Sequence, residues 1–193
     1  MKLFLNVAVL ATALTASYAG TLSVAMTVDD DYEAYISTDP NVQGTLFLEG
    51  QDSWNSVEIG TVNLTPGVKN YLHIRGRDVF GNPQMLIGTF KLTGNFRFAN
   101  GTQSMDSNIF DMTLNKTGFG QPHITIKDLG ANGTSPWGSL GNGISSNARF
   151  IWSEDFGPGD RYFAIPLYNV VPEPATALIL GGAMVAFRRR RAR

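Results

Sequence analysis

The sequence predicts an all-β fold, an antiparallel β-sandwich or jelly roll, on three observations. Apolar and polar residues alternate over short runs through the middle of the chain, turn-forming residues separate those runs, and no segment between residues 20 and 169 carries a convincing helical period. In Tyr71-Leu72-His73-Ile74-Arg75, Leu72 and Ile74 fall on one face and Tyr71, His73 and Arg75 on the other, as a half-buried strand requires. A chain of 193 residues fits about one domain, and 43% hydrophobic with 11% aromatic residues is enough apolar material for a packed core. Only 16% of residues are charged and 21 are glycine, below the roughly 25% charged residues of an average domain. Uncharged polar turns must cover much of the surface.

Taken in chain order, the alternating runs are 21–28 (TLSVAMTV), 32–37 (YEAYIS), 44–50 (GTLFLEG), 56–64 (SVEIGTVNL), 71–75, 85–92 (MLIGTFKL), 110–114 (FDMTL), 123–128 (HITIKD), 148–152 (ARFIW) and 161–167 (RYFAIPL). Thr65-Pro66-Gly67, Gly81-Asn82-Pro83, Asn100-Gly101, Asn132-Gly133 and Gly157-Pro158-Gly159 mark turns between them. About ten short strands at this spacing suit two packed antiparallel sheets.

The two ends read differently from the middle. Residues 1–19 have one cation, Lys2, then an apolar run to about Leu14 and small residues at Ser17 and Ala19, the pattern of a secretory signal peptide cut by signal peptidase between Ala19 and Gly20. Residues 170–193 hold Pro172-Glu173-Pro174, an apolar segment over 175–187, and Arg188, Arg189, Arg190 and Arg191, followed by Arg193. That apolar segment falls short of the roughly 20 residues that comfortably cross a bilayer. The arginines supply the flank that stays on the cytoplasmic side, which puts the preceding domain outside. Both ends therefore predict one topology.

This tripartite tail resembles the PEP-CTERM sorting signal, recognised by exosortases in Gram-negative bacteria that make exopolysaccharide. The resemblance implies export, transient anchoring in the inner membrane, cleavage near Pro172 to Pro174 by the membrane peptidase, and delivery to the cell surface or extracellular matrix. The chemistry of that cleavage belongs to the exosortase.

Removing both ends changes the charge. Lys2 and the five C-terminal arginines leave the basic count, and Glu173 leaves the acidic one, so residues 20–171 carry 9 basic and 15 acidic groups, a net charge of about −6. An acidic domain with only Arg75 and Arg77 close together disfavours nucleic acid as a partner, since such binding draws on Lys and Arg. The chain has no cysteine, which excludes thiolate metal sites and cysteine nucleophiles. Core packing alone must hold the domain together.

The order VDDDYEAYIS, then GQDSWNSVEIGTVNLTPGVKNYLHIRGRDVFGNP, then PWGSLGNGISSNARFIWSEDF resembles the galactose-binding-like β-sandwich domains of secreted bacterial proteins. Where those have an Asn-Gly hairpin, this chain has STDPNVQG. Sugar binding is what the resemblance implies, although one sandwich fold hosts many unrelated functions. Trp54 and Trp137 lie in turn-like segments, where an aromatic ring can stack on a pyranose while Asp52 and Asn55 hold its hydroxyls. Burial of either tryptophan against the end of the sandwich is the competing reading. Trp152 ends an alternating strand in register with Phe150 and reads as core.

Asp29, Asp30 and Asp31 offer carboxylates to a structural calcium ion, and consecutive aspartates before a strand are equally ordinary turn formers. No other cofactor is expected. His73 and His123 lie in separate strands without a metal motif, and 138–143, though glycine-rich, opens no helix that could cradle a phosphate. No G-x-S-x-G elbow occurs and no spacing marks two carboxylates as a facing pair, so the chain does not read as an enzyme. The expected function is non-catalytic binding of exopolysaccharide. The alternative is a structural matrix protein without a specific ligand, and a glycan-active hydrolase stands behind both.

Overall fold

The computed structural model describes residues 19–50, 53–79, 81, 83–120, 122–156 and 159–170. The predicted signal peptide before Ala19, the tail with Pro172, Glu173, Pro174 and Arg188 to Arg191, and Asp52 lie outside the described residues. Among the described residues twelve strands run in the order β1 (Gly20–Asp29), β2 (Asp31–Ser37), β3 (Thr45–Gly50), β4 (Glu58–Leu64), β5 (Asn70–Arg77), β6 (Met85–Leu92), β7 (Phe96–Arg97), β8 (Ser104–Asp106), β9 (Thr113–Asn115), β10 (Ile126–Ala131), β11 (Arg149–Ser153) and β12 (Arg161–Asn169). No helix occurs among the described residues. The strands form two antiparallel sheets, ordered β10-β11-β6-β1-β4, with β8 also on β6, and β3-β2-β5-β12-β7, with β9 also on β12. The chain passes from the first sheet to the second at Asp30, between β1 and β2.

The inner faces supply the main core. Leu22, Val24, Met26 and Val28 of β1 meet Ala34, Leu72, Ile74, Phe163, Ile165 and Leu167 of the other sheet. Their spacing of two is what puts each set on one side of its pleat. Trp152 completes this core, fully buried against Phe163 at 5.6 Å between ring centroids. A Cβ at Gly76 would come within 2.9 Å of the Trp152 ring, so the absence of a side chain there makes its room.

Trp152 and Phe150 do not share a face, contrary to their register in the sequence. Phe150 belongs to a second core on the outer side of the first sheet, with Ala25, Met85, Ile87, Trp137, Leu140, Ile144 and Ala148. The long connection between β10 and β11, residues 132–148, folds back to cover that face. Asn132 pins it: its Nδ2 donates to the carbonyls of Leu140 and Ser145, and its Oδ1 accepts the Leu140 N–H. The Ser145 N–H donates to Thr89 Oγ1 on β6.

Each predicted run has a strand counterpart, with ends that agree to within two residues except at two of them, which start three residues later. The predicted strand 110–114 begins only at Thr113, because Asn108 Oδ1 accepts the N–H groups of Phe110 and Asp111 and turns the chain there. The run at 123–128 is displaced to Ile126–Ala131, with a bulge between Asp128 and Gly130 where Gly130 has a φ of +120°. Strands β7 and β8, of two and three residues, were not expected.

Candidate functional site

Four connections meet at one end of the first sheet and enclose a cleft of about 270 Å³. The β1–β2 junction contributes Asp29 and Asp30, the β3–β4 connection Trp54, the β5–β6 connection Gly81 and Pro83, and the 132–148 cover Pro136 and Trp137. The two tryptophans that the sequence singled out are thus brought to one place, beside two of the three predicted aspartates. The volume sits near the lower end of ligand clefts, about 300 Å³.

Trp137 is 7% exposed and packs on Phe150 at 4.9 Å between centroids. Its Nε1–H donates to Asp29 Oδ2 at 3.0 Å. The burial foreseen as the competing reading therefore describes Trp137, which forms a wall of the cleft while belonging to the outer core. Trp54 is half-buried, packs against that core, and accepts a hydrogen bond from Thr27 Oγ1 at its carbonyl. Of the two rings, Trp54 is the one with surface to offer a ligand.

Asp29 is 7% exposed at the end of β1. Burial raises its pKa to about 7, with the hydrogen bond to Asp30 and the charges of Asp30 and Asp78 adding to the rise and the Trp137 bond opposing it. Asp30 Oδ2 accepts the Val79 N–H at 2.9 Å, and its own N–H donates to the Arg77 carbonyl. Asp78 in turn holds the next turn through the Gly81 N–H and the Gln84 side chain.

The aspartate triplet is divided between two hollows. Asp31, the first residue of β2, lines a different hollow with Glu33, Glu49, Arg75 and Arg77 on the second sheet. Among the described residues no group of three or more His, Cys, Asp or Glu is placed to hold a metal ion. Asn55 is exposed, accepts a hydrogen bond from Ser53 Oγ, and does not line the cleft. Ala19 is exposed, and Gly20 is buried at the head of β1, paired with Leu64.

Other charged and polar side chains are held by structural contacts. Arg75 pairs with Asp160 at 2.5 Å and Glu33 at 3.2 Å, and Arg77 with Asp160 at 3.6 Å. His73 is fully buried, stacks on Phe119 at 4.1 Å, and burial lowers its pKa. Asp155 is held well below the usual carboxylate range, first by its hydrogen bond from Lys116. What sequence reasoning missed were the walls Pro83 and Pro136 and the Trp137–Asp29 bond. The prolines were visible only as turn formers, and nothing local in the sequence pairs Asp29 with a tryptophan so distant in the chain.

No family model, no curated protein and no solved structure matches this chain.

Proposed function

We propose that this chain is an exported protein of a Gram-negative cell surface or extracellular matrix, cut by signal peptidase and then by an exosortase at its PEP-CTERM tail, whose sandwich binds exopolysaccharide without catalysis. The convergence of Trp54, Trp137, Asp29 and Asp30 on one cleft is the observation that carries the binding half of this reading. An aromatic wall for the apolar face of a sugar, with carboxyl oxygens to accept from its hydroxyls, is the minimum that pyranose recognition needs. The export half rests on the two terminal segments, with their single-cation leader and their Pro-Glu-Pro, apolar and arginine tail. A galactose-binding-like identity of the sandwich is part of the same proposal.

Burial of Trp137 favours the second reading, a structural matrix protein, because it removes one of the two rings from open display. A glycan array probed with the full chain separates the two. Retention of a defined set of oligosaccharides supports binding, and a folded protein that retains none supports the structural role.

A further inference from the structure

The cleft beside Asp29 joins apolar walls to a polar lining of one sign. Trp54, Trp137, Pro83 and Pro136 form the walls, and among the described lining residues the charged side chains are those of Asp29 and Asp30, with no cation. Asp29 is almost fully buried, and the charged neighbours acting on it, Asp30 and Asp78, are both acidic. Beyond the one hydrogen bond it accepts from Trp137, a buried carboxyl among like charges is stabilised in two further ways: it keeps a proton, or it takes up a cation. The described lining supplies no such cation, and a ligand can.

We propose that the cleft takes an amino sugar of the glucosamine type, with its ring face on Trp54 and its ammonium group held by Asp29 beside Asp30. This deepens the carbohydrate reading and rests on it. A free amine is what distinguishes such a unit from other sugars here: it forms a charge-assisted hydrogen bond with the carboxylate and relieves the repulsion between Asp29 and Asp30. A uronic acid would add a third negative charge to the cleft, and a neutral hexose would leave Asp29 and Asp30 as they are. The net charge of about −6 over residues 20–171 also draws a polycationic chain toward the surface. The fitting polymer is a partly de-N-acetylated hexosamine polysaccharide.

The test titrates the full chain calorimetrically with three tetrasaccharides: the glucosamine tetramer, its fully N-acetylated form, and a β-linked glucose tetramer. Physiological salt screens the general attraction to an acidic surface, and titrations at several pH values between about 6 and 8 span the range in which the amine keeps its charge and Asp29 gives up its proton. The amine form should bind about tenfold tighter than the acetylated form, the worth of one hydrogen bond to a charged group. Asp29→Asn keeps an oxygen to accept from Trp137, and should abolish that preference without lowering the melting temperature. Trp54→Ala should weaken all binding. Equal affinity for amine and acetylated tetramers overturns the inference and leaves the carbohydrate reading standing, as does a preference that survives Asp29→Asn. Absence of binding to all three by the folded protein removes both.

Discussion

Asp29 concentrates the chemistry of this molecule in one side chain. With its pKa raised to about 7 from an ordinary value of 3.8, the folded protein binds a proton more readily than the unfolded chain does in that interval. Stability contributed by this group is therefore greatest in acid and falls as pH rises from about 4 to 7, by at most ~1.4 kcal/mol per pH unit. Asp29→Asn should flatten that slope and leave the variant more stable than wild type at neutral pH, as read from melting temperatures across the interval. An unchanged slope would assign the effect to another group.

The two cleft tryptophans call for opposite expectations. Trp137→Ala should cost about 3 to 5 kcal/mol by opening the outer core, whereas Trp54→Ala at a half-buried site should cost about 1 kcal/mol. Urea midpoints of the two variants check the difference. Both residues were legible as loop-borne aromatics. Their separation into wall and display surface was not, because it depends on which side of β6 the 132–148 segment falls.

Among the elements, the strands with one plain inner face were the readable ones. In β5 and β12 the alternation of Leu72 and Ile74, and of Phe163, Ile165 and Leu167, maps directly onto the main core. In β1 and β6 it breaks down: 24–29 and 85–90 are buried without interruption, since a second cover lies on the outer face. A period of two cannot report a strand buried on both sides. Asn132 holds the cover's backbone at two points, so Asn132→Ala should cost about 1 to 3 kcal/mol by leaving its backbone partners without their hydrogen bonds. Hydrogen exchange should then accelerate over 132–148 before it does in β5 or β12. Uniform acceleration through both sheets would show that the cover and the sandwich open together.

At the scale of the whole molecule, the proposed function joins two processes: delivery by the terminal segments, and binding at the cleft at one end of the sandwich. Replacing Pro172, Glu173 and Pro174 by alanine should leave export intact and make the uncleaved form accumulate in the membrane, followed by immunoblot of membrane and secreted fractions. Secretion at the wild-type rate and size would contradict the sorting assignment. The proposed delivery signals are contiguous stretches of sequence, which is why they could be read there. The cleft was not, since its lining comes from four separate connections that only the pairing of the strands brings together.

The most direct measurement of the central claim is the retention of the matrix polysaccharide of the producing cells by the wild-type chain and by Trp54→Ala, with melting curves taken on the same samples. The account predicts that the wild type retains polysaccharide and that Trp54→Ala, still folded, loses most of that retention. A folded Trp54→Ala variant that retains polysaccharide like wild type, or a folded wild type that retains none, would contradict it.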